Sequence, residues 1–144
     1  MKLSELIAQF VDRIHYPGWP KSHPAGGVVF TFDRMDVVCR EEGGYCLLQG
    51  EAGEMPEEAM DQESWLQRVL QASLARMAKE KVSLTLDPVS KAVLVYRRFS
   101  FENLAVSDFE MEVESFLNVL ESWGRQVRRD KPAGAVPPEV LLNR

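Results

Sequence analysis

The sequence predicts a single α+β domain in which an antiparallel, twisted sheet is covered by helices, and two observations support this class. Three segments repeat apolar residues with the period of an amphipathic helix. Between them lie short runs of β-branched and aromatic residues, bounded by glycine, proline or aspartate. The predicted order is α-β-β-β-α-β-β-α, without an internal repeat. A chain of 144 residues fits one domain, which we place at residues 1–129, with 130–144 as a flexible tail.

The first predicted helix covers residues 3–15 and has a narrow apolar stripe that suits packing on one surface. The stripe consists of Leu3, Leu6, Ile7, Phe10, Val11 and Ile14. Residues 15–27 then hold three prolines and three glycines, a composition that argues against regular structure. Trp19 lies in this loop, and we expect its ring to pack onto the core.

Residues 28–32, 37–40 and 45–49 are predicted as three strands of an antiparallel meander, because turn residues at 33–34 and 42–44 separate them. In the first strand Val28, Phe30 and Phe32 point to one side, and Val29 to the other. Apolar residues on both sides predict that both faces are at least partly covered. A helix on one face and a partner on the other would provide this cover.

The two cysteines fall on the second and third predicted strands. A turn at Glu42-Gly43 would place Cys39 opposite Cys46, whereas a turn at residues 43–44 would place Cys39 opposite Leu48. Without an export signal, we expect reduced, partly buried thiols. Neither histidine has metal-ligand spacing to the cysteines, so no metal site is predicted.

The middle helix is the unusual element of this sequence. Residues 51–60 are predicted as an acidic loop, Asp61 as the N-cap, and the helix continues to about residue 79. Its apolar arc spans roughly 180°, wider than the roughly 100° that one neighbour requires. This arc contains Trp65, Leu66, Val69, Leu70, Leu74 and Met77. The excess predicts a second neighbour, a second copy of the chain. The predicted interface of the homodimer comprises Trp65, Leu66, Val69, Leu70, Ser73 and Leu74.

Two further strands, at residues 82–86 and 92–99, are separated by a turn at 87–91. Arg97 and Arg98 are adjacent and should therefore leave their strand on opposite faces. The last helix is predicted over residues 107–127, with Ser107 as its cap and arginines at its negative end.

The net charge is −5, which argues against a nucleic-acid partner. Residues 51–63 and 102–121 each hold six acidic residues and no basic one. Two interpretations stay open for these runs. They form either a solvated face that keeps the protein soluble, or an acidic surface for a basic or unfolded partner.

The sequence has no catalytic signature, phosphate-binding loop or dinucleotide fingerprint, so we predict no enzyme activity and no cofactor. No apolar run approaches the roughly 20 residues of a membrane span. Glu5 and Asp12 interrupt the N-terminal apolar pattern, which is therefore not that of a signal peptide. We expect a cytoplasmic protein.

Three consecutive stretches resemble the class I type III secretion chaperones, the Tir-chaperone-like family. They are WLQRVLQAS at 65–73, VSLTLDP at 82–88 and VLVYRR at 93–98, followed by a helix with Phe116 and Trp123. The resemblance covers residues 3–128. It implies a homodimer that binds the N-terminal region of one or more secreted effectors in extended form and delivers it to the export apparatus and its ATPase. The chaperone itself would use no nucleotide.

The effector-binding residues expected from this resemblance lie on the first helix and the first sheet strands. They are Phe10, Val29, Phe30, Phe32, Val38 and Leu48. Core packing is an equally good interpretation of each. The sequence departs from the family in its Pro/Gly loop, where members have a shorter acidic connection. The alternative function is a dimeric α/β interaction or regulatory module outside secretion.

Overall fold

The computed structural model describes residues 2–129, except for the side chains of Met77 and Arg129. The predicted tail at 130–144 lies outside the described residues, as does the side chain of Met77 in the predicted apolar arc. The elements are α1 (Leu3–Arg13), β1 (Lys21–Ser22), β2 (Val28–Phe32), β3 (Met35–Glu42), β4 (Tyr45–Glu54), α2 (Ala59–Glu80), β5 (Ser83–Leu86), β6 (Ala92–Ser100) and α3 (Val106–Arg129).

The strands form one antiparallel sheet in the order β1-β2-β3-β4-β6-β5, which confirms the α+β class and the meander. The expectation that the Pro/Gly loop has no regular structure was wrong. Within it, Lys21 pairs with Val29 and Ser22 pairs with Val28. A strand of two residues fits between Pro20 and Pro24 because Lys21 and Ser22 both have a backbone N–H that can take part in strand pairing.

The β3–β4 hairpin turns at Gly43-Gly44, since Glu42 pairs with Tyr45. Both glycines have positive φ, 58° and 83°, the conformation that a two-residue hairpin turn requires. Of the two registers that the sequence left open, the structure therefore has the one that pairs Cys39 with Leu48.

Two predicted boundaries around α2 were wrong. The acidic loop does not begin at residue 51, because β4 continues to Glu54 beside β6, through an irregularity between Glu51 and Gly53. Asp61 is not the N-cap, because α2 begins at Ala59 and Asp61 lies in its first turn.

The start of α3 also differs from its prediction. The helix begins at Val106, so Ser107 is inside its first turn and is not the cap. The carbonyl of Ala105 instead accepts hydrogen bonds from the N–H groups of Asp108 and Phe109, both at 3.0 Å.

All three helices contribute to one core on one face of the sheet. Seven buried strand residues of this core share that face: Phe30, Val37, Cys39, Cys46, Leu48, Val93 and Val95; Ala52, at the irregularity in β4, also belongs to the core. Helix α3 lies close to β4 because Gly50 has no side chain; a Cβ there would be 2.4 Å from Cδ2 of Leu120. We call the opposite face of the sheet the open face; none of its residues in the described part of the chain belongs to this core.

Trp19 does not pack onto the core as expected, since 57% of it is exposed, whereas the adjacent Pro20 is buried. Arg97 and Arg98 do leave β6 on opposite faces: Arg97 forms an ion pair with Glu112 of α3 at 2.7 Å, and Arg98 lies over Tyr45. Among the described helices, none is long and apolar enough to cross a membrane.

Candidate functional site

Half of the predicted effector-binding residues belong to the core. Phe10, Phe30 and Leu48 are each at most 1% exposed. Their side chains pack within the chain, and Phe10 contacts Phe30 edge to face at 5.4 Å between ring centroids. They can support a binding surface from below but cannot form it.

The other three predicted residues lie in two different places, and of these Val38 is also buried, with 9% exposed. Val29 and Val38 are cross-strand partners on the open face. Phe32 is partly buried on the helix side, where it stacks on Phe30 at 5.7 Å. The structure therefore does not bring the six residues together into one surface.

Phe32 lines the groove that we regard as the candidate site. It lies between the end of α1, the end of β2 and the first half of α3, and its volume is about 460 Å³. We call it the α1–α3 groove. Its apolar lining is formed by Ile14, Tyr16, Pro17, Phe32 and Leu117, and the buried side chains of Phe10 and Val113 lie beneath them. An apolar, concave surface of this size suits side chains from an extended peptide.

The rim of the α1–α3 groove is acidic. Asp33, Glu110 and Glu114 line it, together with His15. Glu110 forms an ion pair with Arg13, whereas Asp33 and Glu114 form none within residues 2–129. The rim therefore carries an excess of negative charge beside an apolar floor.

An open strand edge runs along this groove. β1 pairs only with the first two residues of β2, so within residues 2–129 the rest of β2 has no strand neighbour on that side. The hydroxyl oxygen of Tyr16 accepts a hydrogen bond from the N–H of Thr31 there, at 3.0 Å. The Tyr16 ring also meets Phe30 and Phe32 edge to face, at 5.2 and 5.8 Å. One side chain thus protects the edge where β1 stops.

A second groove, of about 580 Å³, lies on the other side of α1. It is bounded by the N-terminal half of α1, the Pro/Gly loop and the paired ends of β2 and β3, and the exposed ring of Trp19 lines it. The Pro/Gly loop therefore builds one wall of a surface groove beside the first helix.

The predicted dimer residues of α2 divide into two stripes, each with a spacing of four residues. Trp65, Val69 and Ser73 are at most 4% exposed and are buried by their own chain. Leu66 is partly buried, whereas Leu70 and Leu74 are 53% and 81% exposed. One stripe of the wide apolar arc therefore packs into the core, and the other, which we call the outward stripe, faces solvent in the single chain. The structure has a single chain, so the homodimer stays a prediction.

A polar contact fixes α2 on α3. The guanidinium group of Arg76 lies 4.1 Å from the ring centroid of Trp123 and donates hydrogen bonds to the hydroxyl of Ser122 at 2.7 Å and to Glu80 at 2.8 Å. The Arg76 side chain is only 22% exposed. This contact orients the α2 stripe that carries Leu70.

The thiols of Cys39 and Cys46 lie diagonally across the β3–β4 pair, with their sulfur atoms 3.6 Å apart. Both are buried and free. The hydrogen bond with Cys39 and burial together raise the pKa of Cys46, so the Cys46 thiol stays neutral and is a poor nucleophile. No group of potential metal ligands occurs among the described residues.

Sequence reasoning missed most of the α1–α3 groove. Tyr16 lies in the loop that the sequence predicts to be irregular. The acidic turn residue Asp33 was treated only as a separator between strands. A Tyr directly after an amphipathic helix, ahead of an edge strand, is the one local signal that could have indicated this site.

Residues 5–124 match the model of the Tir chaperone protein (CesT) family. No curated protein matches the chain. Among solved structures, a chain of the ExsC–ExsE complex is similar, with 19% identity, a TM-score of 0.66 and coverage of 85% of this chain and 91% of the other. The Yersinia pestis type III secretion chaperone SycH, in complex with a stable fragment of YscM2, is also similar, with 13% identity and a TM-score of 0.60. The match covers 85% of this chain and 99% of the other. A chain of the HopA1–SchA chaperone–effector complex is similar as well, with 19% identity and a TM-score of 0.61. The match covers 85% of this chain and 93% of the other.

Proposed function

The chain belongs to the Tir chaperone protein (CesT) family, and from this premise we propose that it is a cytoplasmic type III secretion chaperone. Its client is the N-terminal region of one or more secreted effectors. The chaperone keeps this region extended, soluble and competent for secretion. It acts by binding alone, without catalysis, nucleotide or cofactor.

The observation that carries this proposal is the juxtaposition of the α1–α3 groove with the open edge of β2. The groove offers an apolar floor, and the edge offers the backbone N–H of Thr31, which is now held by a side chain. An extended client that adds a strand to β2 can satisfy its own backbone there and place alternate side chains in the groove. The similarity to a chaperone–effector complex and to a type III secretion chaperone bound to a protein fragment supports the binding of a client.

The acidic rim adds a preference to the proposed binding mode. Asp33 and Glu114 stand beside the groove without ion pairs among the described residues. A client segment with Lys or Arg next to its apolar anchors would neutralise them, whereas an acidic segment would be repelled. We propose that the preferred client segments are apolar and basic.

The second part of the proposal is a homodimer formed through the outward stripe of α2. Leu70 and Leu74 are large apolar residues on one side of a helix, and both are exposed in the single chain. Burial of such a stripe against its symmetric copy would remove this apolar surface from water. Trp65, Val69 and Ser73, which the sequence predicts in the dimer interface, would instead support the outward stripe from the core of each protomer.

A further part concerns delivery. The resemblance implies that the loaded dimer hands its client to the export apparatus and its ATPase, and we retain this as a proposal.

The experiment that tests the client proposal is co-expression of the chaperone with the N-terminal region of a candidate effector. Wild-type chaperone should make that region soluble. Leu117→Glu, which puts a charge into the groove lining, should abolish this. The matched control is Met111→Glu on the exposed side of the same helix, where 65% of the residue is exposed; it should behave as wild type. If both variants fold and both keep the client soluble, the groove is not the client site.

A further inference from the structure

The open face of the sheet carries a hollow that the proposed client site does not use. Its volume is about 470 Å³, and it lies where β4, β5 and β6 are paired, near the end of α2. We call it the basic hollow. Its lining is formed by Glu42, Leu47, Lys81, Ser83, Tyr96, Arg97 and Arg98.

Two cations of the basic hollow are available to a ligand. Lys81 and Arg98 are exposed, and neither forms an ion pair with another residue of the range 2–129. The guanidinium group of Arg98 is held 4.7 Å from the ring centroid of Tyr45. This stacking orients the side chain and leaves its N–H groups free to bind a carboxylate.

The strand register places an apolar side chain between the charges. Leu47 of β4 is paired with Arg40 on one side and with Arg98 on the other, and it is 5% exposed. Arg40 also has Glu42 nearby, at 3.6 Å, a separation that gives only a weak surface pair. The open face thus carries two arginines in one row across three strands, with a buried leucine beneath and between them.

This pattern selects the chemistry of the occupant. Ser83 and Tyr96 supply hydroxyl groups to the same hollow. An extended segment with carboxylates on alternate residues, and so on one side of its backbone, matches this row of charges, whereas a basic or compact apolar ligand does not. The acidic rim of the α1–α3 groove would repel the same segment, so the two sites differ in the charge of the ligand that they favour.

We propose that the basic hollow is a docking site for an acidic, extended segment of a protein other than the client. The groove and the hollow lie on opposite sides of the sheet. An acidic partner can therefore be held while a client occupies the α1–α3 groove. This simultaneous arrangement rests on the proposed client function, but binding of an acidic segment to the hollow does not.

A labelled peptide of alternating glutamate and leucine is the probe, and fluorescence anisotropy on the full chain is the measurement. We expect saturable binding that weakens as salt is raised. Replacement of every glutamate by glutamine should abolish it. Arg98→Glu should weaken it by about tenfold or more, because one attractive charge becomes repulsive. Arg98→Gln should have an intermediate effect if the charge is responsible.

The matched control is Arg125→Glu, a charge reversal at a surface arginine of α3 whose side chain is 57% exposed. It should leave peptide binding unchanged. Equal weakening by both reversals, or equal binding of the glutamine peptide, would overturn the proposal. Two other results would also overturn it. If inorganic phosphate at matched charge concentration displaces the peptide, the hollow is a site for free anions. If Arg98→Glu dissociates a dimer in light scattering, a second copy of the chain covers the hollow.

Loading the chaperone with its client separates the two proposals. Peptide binding that persists in the loaded protein supports simultaneous docking, and peptide binding that the client abolishes contradicts it. If no client is found but the peptide still binds, the client proposal fails and the basic hollow stands.

Discussion

The hydroxyl oxygen of Tyr16 accepts a hydrogen bond from the backbone N–H of Thr31 at 3.0 Å. Thr31 lies in the part of β2 that β1 does not cover, so this bond occupies a position where another strand could pair. Unpaired strand edges invite association, and proteins protect them by short strands and side chains. The protecting group here is a single hydroxyl that an incoming carbonyl oxygen can replace.

The first prediction concerns this hydroxyl. Tyr16→Phe keeps the ring that packs against Phe30 and Phe32 but removes the acceptor for Thr31. A client strand would then displace no internal hydrogen bond, whose net worth is about 0.5–1.5 kcal/mol. Calorimetric titration should therefore give client binding that is about two- to tenfold tighter.

The matched control is Tyr45→Phe, on the opposite face of the sheet, which should not alter client affinity. If Tyr16→Phe weakens the binding or leaves it unchanged, the client does not pair with the edge of β2 at Thr31.

The second prediction concerns the outward stripe of α2. The double variant Leu70→Glu/Leu74→Glu should be monomeric by light scattering at concentrations where the wild type is dimeric, because two buried charges per protomer would face their symmetric copies. Met111→Glu, at an exposed apolar position of α3, should leave the dimer intact. A wild-type chain that is itself monomeric at micromolar concentration would refute the proposed dimer.

The third prediction concerns the contact between α2 and α3. Arg76→Ala removes the guanidinium group from the ring of Trp123 and from Ser122, and it leaves Glu80 without its partner. We expect a loss of about 1–3 kcal/mol in the free energy of unfolding, measured by urea denaturation. Arg125→Ala, at an exposed ion pair, should cost about 0.5 kcal/mol or less. Equal losses for the two variants would contradict the role given to Arg76.

The fourth prediction concerns the buried thiols. The hydrogen bond with Cys39 and burial raise the pKa of Cys46 in the folded state. A raised pKa means that its contribution to stability is complete below the thiol pKa of the unfolded chain, about 8.5, and decreases as the pH rises above it. Urea denaturation should show this decrease in the wild type and a smaller one in Cys46→Ala.

Iodoacetamide provides an independent test of the same thiols. Both should react only as fast as the chain opens, because neither is exposed and the thiolate is the nucleophile. Rapid alkylation of the folded protein at neutral pH would show that the thiols are not held as described.

Periodicity was sufficient to predict the helices and most of the strands, since amphipathic faces such as those of α1 and α3 are encoded locally. The errors occur where tertiary contacts, rather than the local sequence, determine where an element begins or ends. β4 extends past Gln49 because β6 runs beside it, and Ser107 lies inside α3 because Ala105 already accepts the first N–H groups. The two-residue strand β1 depends on its pairing with β2, which no local pattern indicates.

The candidate site was harder to predict for a related reason. Phe10 and Phe32 are both apolar residues of periodic segments, yet one is buried beneath the groove and the other lines it. Hydrophobicity alone does not separate the two roles. On α2, however, the width of the apolar arc did indicate two neighbours, and its division between the core and the exposed Leu70 and Leu74 gives that width a physical basis.

The most direct measurement of the central proposal is a titration with a client identified by affinity capture from a secretion-competent cell. The N-terminal region of that client and the remainder of its chain are each titrated into the chaperone. The proposed function predicts saturable binding of the N-terminal region, its loss in Leu117→Glu, and no binding of the remainder. Binding of the remainder alone, or N-terminal binding that Leu117→Glu leaves unchanged, would contradict it.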